Sequence, residues 1–263
     1  MARAQRLDRN LSGAPMPIDK AIILSAGKGS RLLPLTAERP KCLIELSGKS
    51  LLEWQLDALS ASGVREVVVV TGFGDHLVDE VAARREGVRT LFNPFYHVAD
   101  NLGSVWLARA EFDRDTLLLN GDTLVSTALL AEVLAAEGGP IAVTIDEKDE
   151  YDADDMKVLR EGDRLLRIGK ALGEGEYNAE SIGLLAFRGD GGRRFTDEVE
   201  RMMRTPEGTL RWYLRAIDAL AQQGEDVRTV SIRGEAWQEV DFPEDVEKAR
   251  ALTAGWASAL LAS

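Results

Sequence analysis

The chain holds one cysteine and two histidines in 263 residues. A single thiol excludes an internal disulfide and suits a reducing cytosol, so a cytoplasmic location is expected. His76 and His97 are too few for a histidine-rich metal site. Basic residues are short as well: 32 Lys and Arg against 44 Asp and Glu give a formal net charge of −12. That balance argues against nucleic acid or an anionic membrane surface as the main partner. It leaves a nucleotide substrate open, because local cations decide that. No apolar run approaches the ~20 residues of a membrane span. Residues 1–17 carry Arg3, Arg6 and Arg9 without the apolar stretch of a secretory signal, and read as a flexible tail. Aromatics are scarce at 6%, yet 45% of residues are hydrophobic, enough for a sizeable core.

What the chain does have is a distinctive loop. The apolar run Ala21–Leu24 reads as a buried first strand. Directly after it come Ser25-Ala26-Gly27-Lys28-Gly29-Ser30-Arg31 and Pro34-Leu35-Thr36, then Arg39-Pro40-Lys41-Cys42. Glycines let a backbone approach an anion and aim successive N–H groups at it. Arg31 and Lys41 add charge that the backbone cannot. Two better-known phosphate loops are excluded. The P-loop needs a glycine five residues before its Gly-Lys pair, where this chain has Ile22 or Leu43. The dinucleotide fingerprint needs a third glycine where Leu32 stands. Cys42 reads as a small buried apolar residue.

The remaining pattern, Gly-x-Gly-x-Arg followed by Pro-Lys, resembles the signature of the nucleotidyltransferase superfamily, which activates sugar phosphates and phospho-alcohols with a nucleoside triphosphate. The resemblance implies a Rossmann-like three-layer α/β/α fold. It gives Leu24, Ala26, Gly27, Gly29 and Ser30 to the nucleotide, and Arg31 and Lys41 to catalysis.

The rest of the chain is consistent with that class. Strand-like and helix-like segments alternate from residue 20 to Ile145, the mark of a mostly parallel sheet covered on both faces. Ser50 with Glu53 makes a capping box for a helix over 50–61. Helices are expected at 75–85, 102–111 and 127–136, and strands at 66–70, 88–92, 116–119 and 141–145. Beyond an acidic loop at 146–155, the residues flanking Glu161-Gly162-Asp163 predict a β-hairpin laid over the crevice. A buried strand at 182–187, helices near 192–204 and 210–222, short strands at 227–232 and 236–240, and a helix from Pro243 to about Thr253 complete the reading. One domain over residues 18–255 is expected, with 256–263 as a C-terminal extension that allows a homodimer without requiring one.

Two carboxylates bear on the chemistry. Asp122 follows the 116–119 strand in Asn120-Gly121-Asp122, at a strand end where ligands of open α/β sheets bind. An aspartate there can hold a hard divalent cation shared with phosphates, although Asn-Gly-Asp is also good turn chemistry. Asp241 precedes the last helix and could be its N-cap. Members of the resembled superfamily carry a Gly-Asp in mid-chain and a second Asp before a final helix. The resemblance therefore implies one Mg²⁺ held by Asp122 and Asp241.

Further segments are similar to the small cytidylyltransferases of the phosphocholine, inositol-phosphate and phosphonate type. These are Asp100-Asn101-Leu102-Gly103-Ser104, Asp154-Asp155-Met156-Lys157-Val158, Arg167-Ile168-Gly169-Lys170 and Glu180-Ser181-Ile182-Gly183-Leu184. They imply Asn101 and Ser104 at the nucleobase, and Lys157, Lys170, Glu180 and Trp237 around the acceptor. Asn101-Leu102 departs from the paired asparagines of the phosphocholine type and leaves base and acceptor open. The expected partners are a nucleoside triphosphate, CTP first, and a small phosphorylated or phosphonate acceptor. The alternatives are a hexose- or cyclitol-1-phosphate with UTP, GTP or dTTP, and a non-catalytic nucleotide sensor.

Overall fold

A computed structural model describes residues 18–232 and 234–262, so the tail expected at 1–17 lies outside the described residues. Strand β1 (Lys20–Ser25) is followed by the glycine loop and a small hairpin, β2 (Glu45–Leu46) and β3 (Lys49–Ser50). Then come α1 (Leu51–Ala61), β4 (Glu66–Thr71), α2 (Asp75–Ala82), β5 (Val88–Phe92), α3 (Asn101–Leu107) and β6 (Thr116–Asn120). After β7 (Thr123–Val125), α4 (Thr127–Ala135) and β8 (Ile141–Asp146), the predicted hairpin is β9 (Lys157–Glu161) and β10 (Arg164–Ile168). The chain ends through β11 (Ala179–Phe187), α5 (Gly191–Met203), α6 (Leu214–Gln222), β12 (Val227–Ser231), β13 (Trp237–Glu239) and α7 (Pro243–Ala262).

The strands β5-β4-β1-β6 are parallel neighbours, so the ends of β1 and β6 face one side together. Alternate residues explain the continuous apolar runs. Ile22, Val68 and Leu118 enter one core beneath α3, α5 and α6, while Ile23, Val69 and Leu119 enter the other beneath α1 and α4. A strand covered on both faces has no polar side to show.

The second half departs from a flat sheet. β11 runs antiparallel to β6 and β8, and its first residues pair with β9. With β8–β12, β12–β10 and β10–β9 also paired, five strands close into a ring. The bend that allows this is a register shift between Ser181 and Leu185. Gly183 sits there at φ 76°, with Asn120 where a Cβ would go, as bulges with left-handed glycine require. The β9–β10 hairpin is thus bonded into the sheet rather than laid across the crevice.

Helix limits differ from expectation for local reasons. The predicted 210–222 helix begins only at Leu214, because residues 209–213 run alongside the start of α3. There Asp100 and Leu102 N–H donate to Thr209 and Arg211 carbonyls, and Tyr213 N–H donates to Asn101 Oδ1. The last helix runs well past Thr253, and Trp256 meets Trp54 edge-on at 6.1 Å.

Gly121 joins the two halves of the site. Its N–H donates to Leu24 O at 2.9 Å, and an added Cβ would lie 2.3 Å from Ser25 Oγ and 2.5 Å from Leu24 O. Gly121→Ala is expected to lower stability by about 1–3 kcal/mol, the usual range for overpacking, as measured by urea unfolding.

Candidate active site

The glycine loop leaves β1 at Ser25. Gly27 has open space where a Cβ would be, and Gly29 takes a left-handed conformation at φ 67°. Thr36, fully buried, donates its hydroxyl hydrogen to Gly29 O at 2.7 Å and pins the loop. Leu24, Gly27, Gly29, Lys41, Asn101 and Asp122 line a cavity of about 210 Å³. Ala26 O accepts from Phe73 N–H, and Ser30 is exposed at the start of a short helical turn.

Asp122 follows the turn after β6, which is held from three sides. Gln55, fully buried in α1, donates Nε2–H to Asn120 O at 2.9 Å and Thr123 O at 2.7 Å. The Tyr213 hydroxyl donates to Asn120 Oδ1 at 3.1 Å, and Thr123 Oγ1–H donates to Ile182 O at 3.0 Å. The antiparallel ladder β7–β13 pairs Thr123 with Glu239, and Val240 N–H donates to Asp122 O. Two residues far apart in sequence, Asp122 and Asp241, are thereby side by side.

Asp241 is not the helix cap. The helix α7 begins at Pro243, and Asp245 in its first turn accepts through Oδ2 from the N–H groups of Asp241 and Phe242. The Asp241 carboxylate is free for the site. Lys41 Nζ contacts both aspartates, 2.8 Å from Asp122 Oδ2 and closer still to Asp241 Oδ1. Arg31 Nη1 lies 3.2 Å from the other oxygen of Asp241 and half-exposed. Burial opposes the charge of Lys41, but the attraction of Asp122 and then Asp241 outweighs it and raises its pKa above the ordinary lysine value. Glu239, which the sequence reading passed over, has its pKa pushed up to about 8 by burial and by the nearby charges of Asp122 and Asp241. Burial pushes the Cys42 thiol up to about 12, which leaves it inert.

These carboxylates fit a divalent cation. Asp122 Oδ1 is buried with no hydrogen-bond partner, and a point between two aspartates already holds a positive nitrogen. Among the described residues no three His, Cys, Asp or Glu side chains form a metal cage. Two carboxylates plus phosphate oxygens and water are the usual company of Mg²⁺.

A second cavity has a volume of about 610 Å³. It is lined by Asp241, Glu239, Trp237, Glu180, Asp155 and Lys148 among others. Trp237 Nε1–H donates to Asp146 Oδ2 at 2.9 Å. Glu180 is 4% exposed and ion-paired to Lys148 at 2.9 Å. Lys170 lies over the Trp212 ring and close enough to Glu239 to act on its charge.

Six predicted residues line neither cavity: Ala26, Ser30, Arg31, Ser104, Lys157 and Lys170. Lys157 is buried by the closure of the ring, with Nζ donating to Asp152 O. Ser104 is buried in α3, accepts from Asn93 Nδ2, and does not line the cavity beside the glycine loop. Asn101 does line it, with its carbonyl oxygen committed to Tyr213 N–H.

Residues 21–182 match the family model described as a MobA-like NTP transferase domain. The chain belongs to this family. A CMP-5'-(3-aminopropyl)phosphonate synthase of Streptomyces rubellomurinus is 32% identical over 88% of this chain. This chain spans only 38% of that relative's length. A CTP:phosphoglutamine cytidylyltransferase of Campylobacter jejuni is 24% identical over 86% of this chain and 97% of its own. The solved inositol-1-phosphate CTP transferase from T. maritima superposes with a TM-score of 0.76 at 20% identity, covering 90% of this chain and 97% of that one. The last likeness establishes the mixed α/β fold, and the family establishes an enzyme of the nucleotidyltransferase kind.

Replacing Gln55 by leucine is expected to strand two backbone carbonyls that it now serves. Each unsatisfied group costs about 1–3 kcal/mol. The variant should melt clearly below the parent by calorimetry and also lose turnover, because the Asp122 turn loosens.

Proposed function

We propose that this transferase moves CMP from CTP to a small phosphorylated or phosphonate acceptor and releases pyrophosphate. One observation carries the reading. Asp122 and Lys41 line the nucleotide-side cavity, Asp241 and Glu239 line the other, and the Lys41 ammonium joins the two. A reaction between two anions needs such a charged partition, with one substrate on each side. The names of the relatives, which speak of CMP and CTP chemistry, support CTP as donor.

The acceptor oxygen attacks the α-phosphorus in line as the bond to pyrophosphate breaks. A phosphate is already largely ionised near neutral pH, so no strong general base is needed. The barrier is mutual repulsion, and positioning with charge neutralisation supplies most of the catalysis. Backbone N–H groups around Gly27 and Gly29 receive the polyphosphate. Arg31 neutralises the departing pyrophosphate, and Lys41 steadies the α-phosphate. Asp122 and Asp241 would hold Mg²⁺, which supplies Lewis acidity toward phosphate oxygens when bound. Asp241 also keeps Arg31 and Lys41 extended toward the cleft before substrates arrive.

Pyrophosphate release measured across CTP, UTP, GTP and dTTP with a panel of phosphorylated acceptors tests the reading. Turnover with CTP supports it, whereas turnover with UTP and glucose 1-phosphate alone contradicts it. In the same assay Asp122→Asn should lower kcat by about 10²–10³, the scale for losing one electrostatic contact to the transition state. Near-normal turnover of that variant with Mg²⁺ would remove the metal assignment.

A further inference from the structure

One buried carboxylate stands outside both cavities. Asp218 lies within α6, and its side chain is 3% exposed. A charge in such a place costs free energy unless its lone pairs are served. Four groups serve this one. Oδ1 accepts from the Ile168 N–H at 3.0 Å and from Arg167 Nε–H at 3.1 Å. Oδ2 accepts from Gln222 Nε2–H at 2.7 Å, with Arg215 Nη1 at 3.7 Å. Gln222 and Arg215 belong to α6 itself, whereas Arg167 and Ile168 are the last two residues of β10. Asp218 therefore ties the helix to the exit of that strand. The next residue, Gly169, donates its N–H to Lys157 O at 2.9 Å, so the exit is held from α6 and from β9 together.

Lys170 is what this exit carries. Its Nζ lies 5.1 Å from the centre of the Trp212 ring, and Trp212 stands two residues before α6. One helix thus fixes the lysine twice, its backbone through Asp218 and its ammonium through Trp212. The surrounding charges show why that ammonium matters. Lys148 is bound to Asp155 and Glu180, Lys248 is paired with Asp245, and Lys157 is buried on Asp152 O. Lys170 is 3.9 Å from Asp154 Oδ1, too long for a hydrogen bond. Its charge also bears on Glu239, and both Asp154 and Glu239 line the second cavity. Of these lysines, Lys170 is the least committed, and it stands at the rim where an anion would enter.

We propose that Asp218 is a positioning residue for the acceptor: it fixes the exit of β10 so that the Lys170 ammonium meets the acceptor's phosphate or phosphonate at the cavity rim. The proposal rests on the transferase reading of that cavity. Asp218 touches no substrate and acts through Lys170. A carboxylate suits the task because one oxygen takes a backbone N–H and a guanidinium together, which an apolar side chain of similar volume does not. A charged contact rewards such bracing, because a small displacement of a group that holds substrate is felt strongly in the rate.

The test is a double-mutant cycle on the full-length protein with Mg²⁺ and CTP. The acceptor is whichever of phosphocholine, inositol 1-phosphate and 2-aminoethylphosphonate the parent turns over fastest. Lys170→Ala should raise the acceptor KM about tenfold or more, the scale of a charge-assisted contact. Asp218→Ala should raise it about tenfold as well, and Asp218→Asn, which keeps an oxygen for the Ile168 N–H but loses the charge on Arg167, about threefold. In all three the KM for CTP should stay within about twofold of the parent's, and in the Lys170→Ala background neither Asp218 substitution should move the acceptor KM by more than about twofold. KM is read on folded enzyme, so a lower yield does not enter it, and Asp218→Asn carries the cycle alone if Asp218→Ala does not fold. The proposal falls if the folded Asp218 variants leave the acceptor KM unchanged or if their effects persist in the Lys170→Ala background. It falls equally if the KM for CTP rises in step, as general loosening would give. An acceptor KM unmoved by Lys170→Ala overturns it too, while the transferase reading stands. Absence of pyrophosphate release with every triphosphate and every acceptor overturns the transferase reading itself, and this proposal with it.

Discussion

The architecture of the site depends on one ammonium group between two carboxylates. Lys41, from the segment after the glycine loop, touches Asp122 at the end of β6 and Asp241 after β13. Three separate stretches of chain meet at that nitrogen. Its charge is what permits two aspartates and a glutamate to stand close together in a partly buried place. The contact is only as good as the scaffold that aims it. The β7–β13 ladder sets the spacing of the aspartates, Gln55 braces the turn, and Gly121 brings that turn against the end of β1.

From that contact the two-sided shape of the site follows. The glycine loop and Asp122 face one cavity, and Asp241 with Glu239 face the other. The closed ring of β8 to β12 forms the wall of the second. Its closure at the Gly183 bulge carries Glu180 into that wall. In the proposed function the parallel half of the sheet would hold the polyphosphate and the antiparallel ring would meet the acceptor. Loop 147–156 links two strands of the ring and lines the cavity.

Much of this was legible in the chain. The glycine loop could be read because backbone–phosphate contact demands unusual residues at fixed spacing, and few other demands produce Gly-x-Gly-x-Arg with Pro-Lys after it. The alternation of strands and helices to residue 145 was readable because both faces of β1, β4, β6 and β8 are covered. The capping box at Ser50 and Glu53 formed as expected, since it is a local matter of three residues. What escaped were consequences of pairing at long range. Lys157 read as a hairpin lysine near the acceptor; only the pairing of β9 with β11 shows that it is walled in. Asp241 reads equally well as a helix cap; its ion pairs to Lys41 and Arg31 come from residues some 200 positions away. Gln55 falls within the expected helix over 50–61, and Glu239 within the expected strand at 236–240. Neither carries a local signal, because each matters through a partner more than 60 positions away in the chain or through an electric field from several.

The most direct measurement is a crystal structure with Mn²⁺ and a non-hydrolysable CTP analogue, phased to show anomalous scattering from the metal. The account predicts one peak bound by an oxygen from each of Asp122 and Asp241, with Lys41 Nζ moved off the carboxylates toward the phosphate. A metal held by only one of these residues, or placed elsewhere while Lys41 still bridges both, would contradict it.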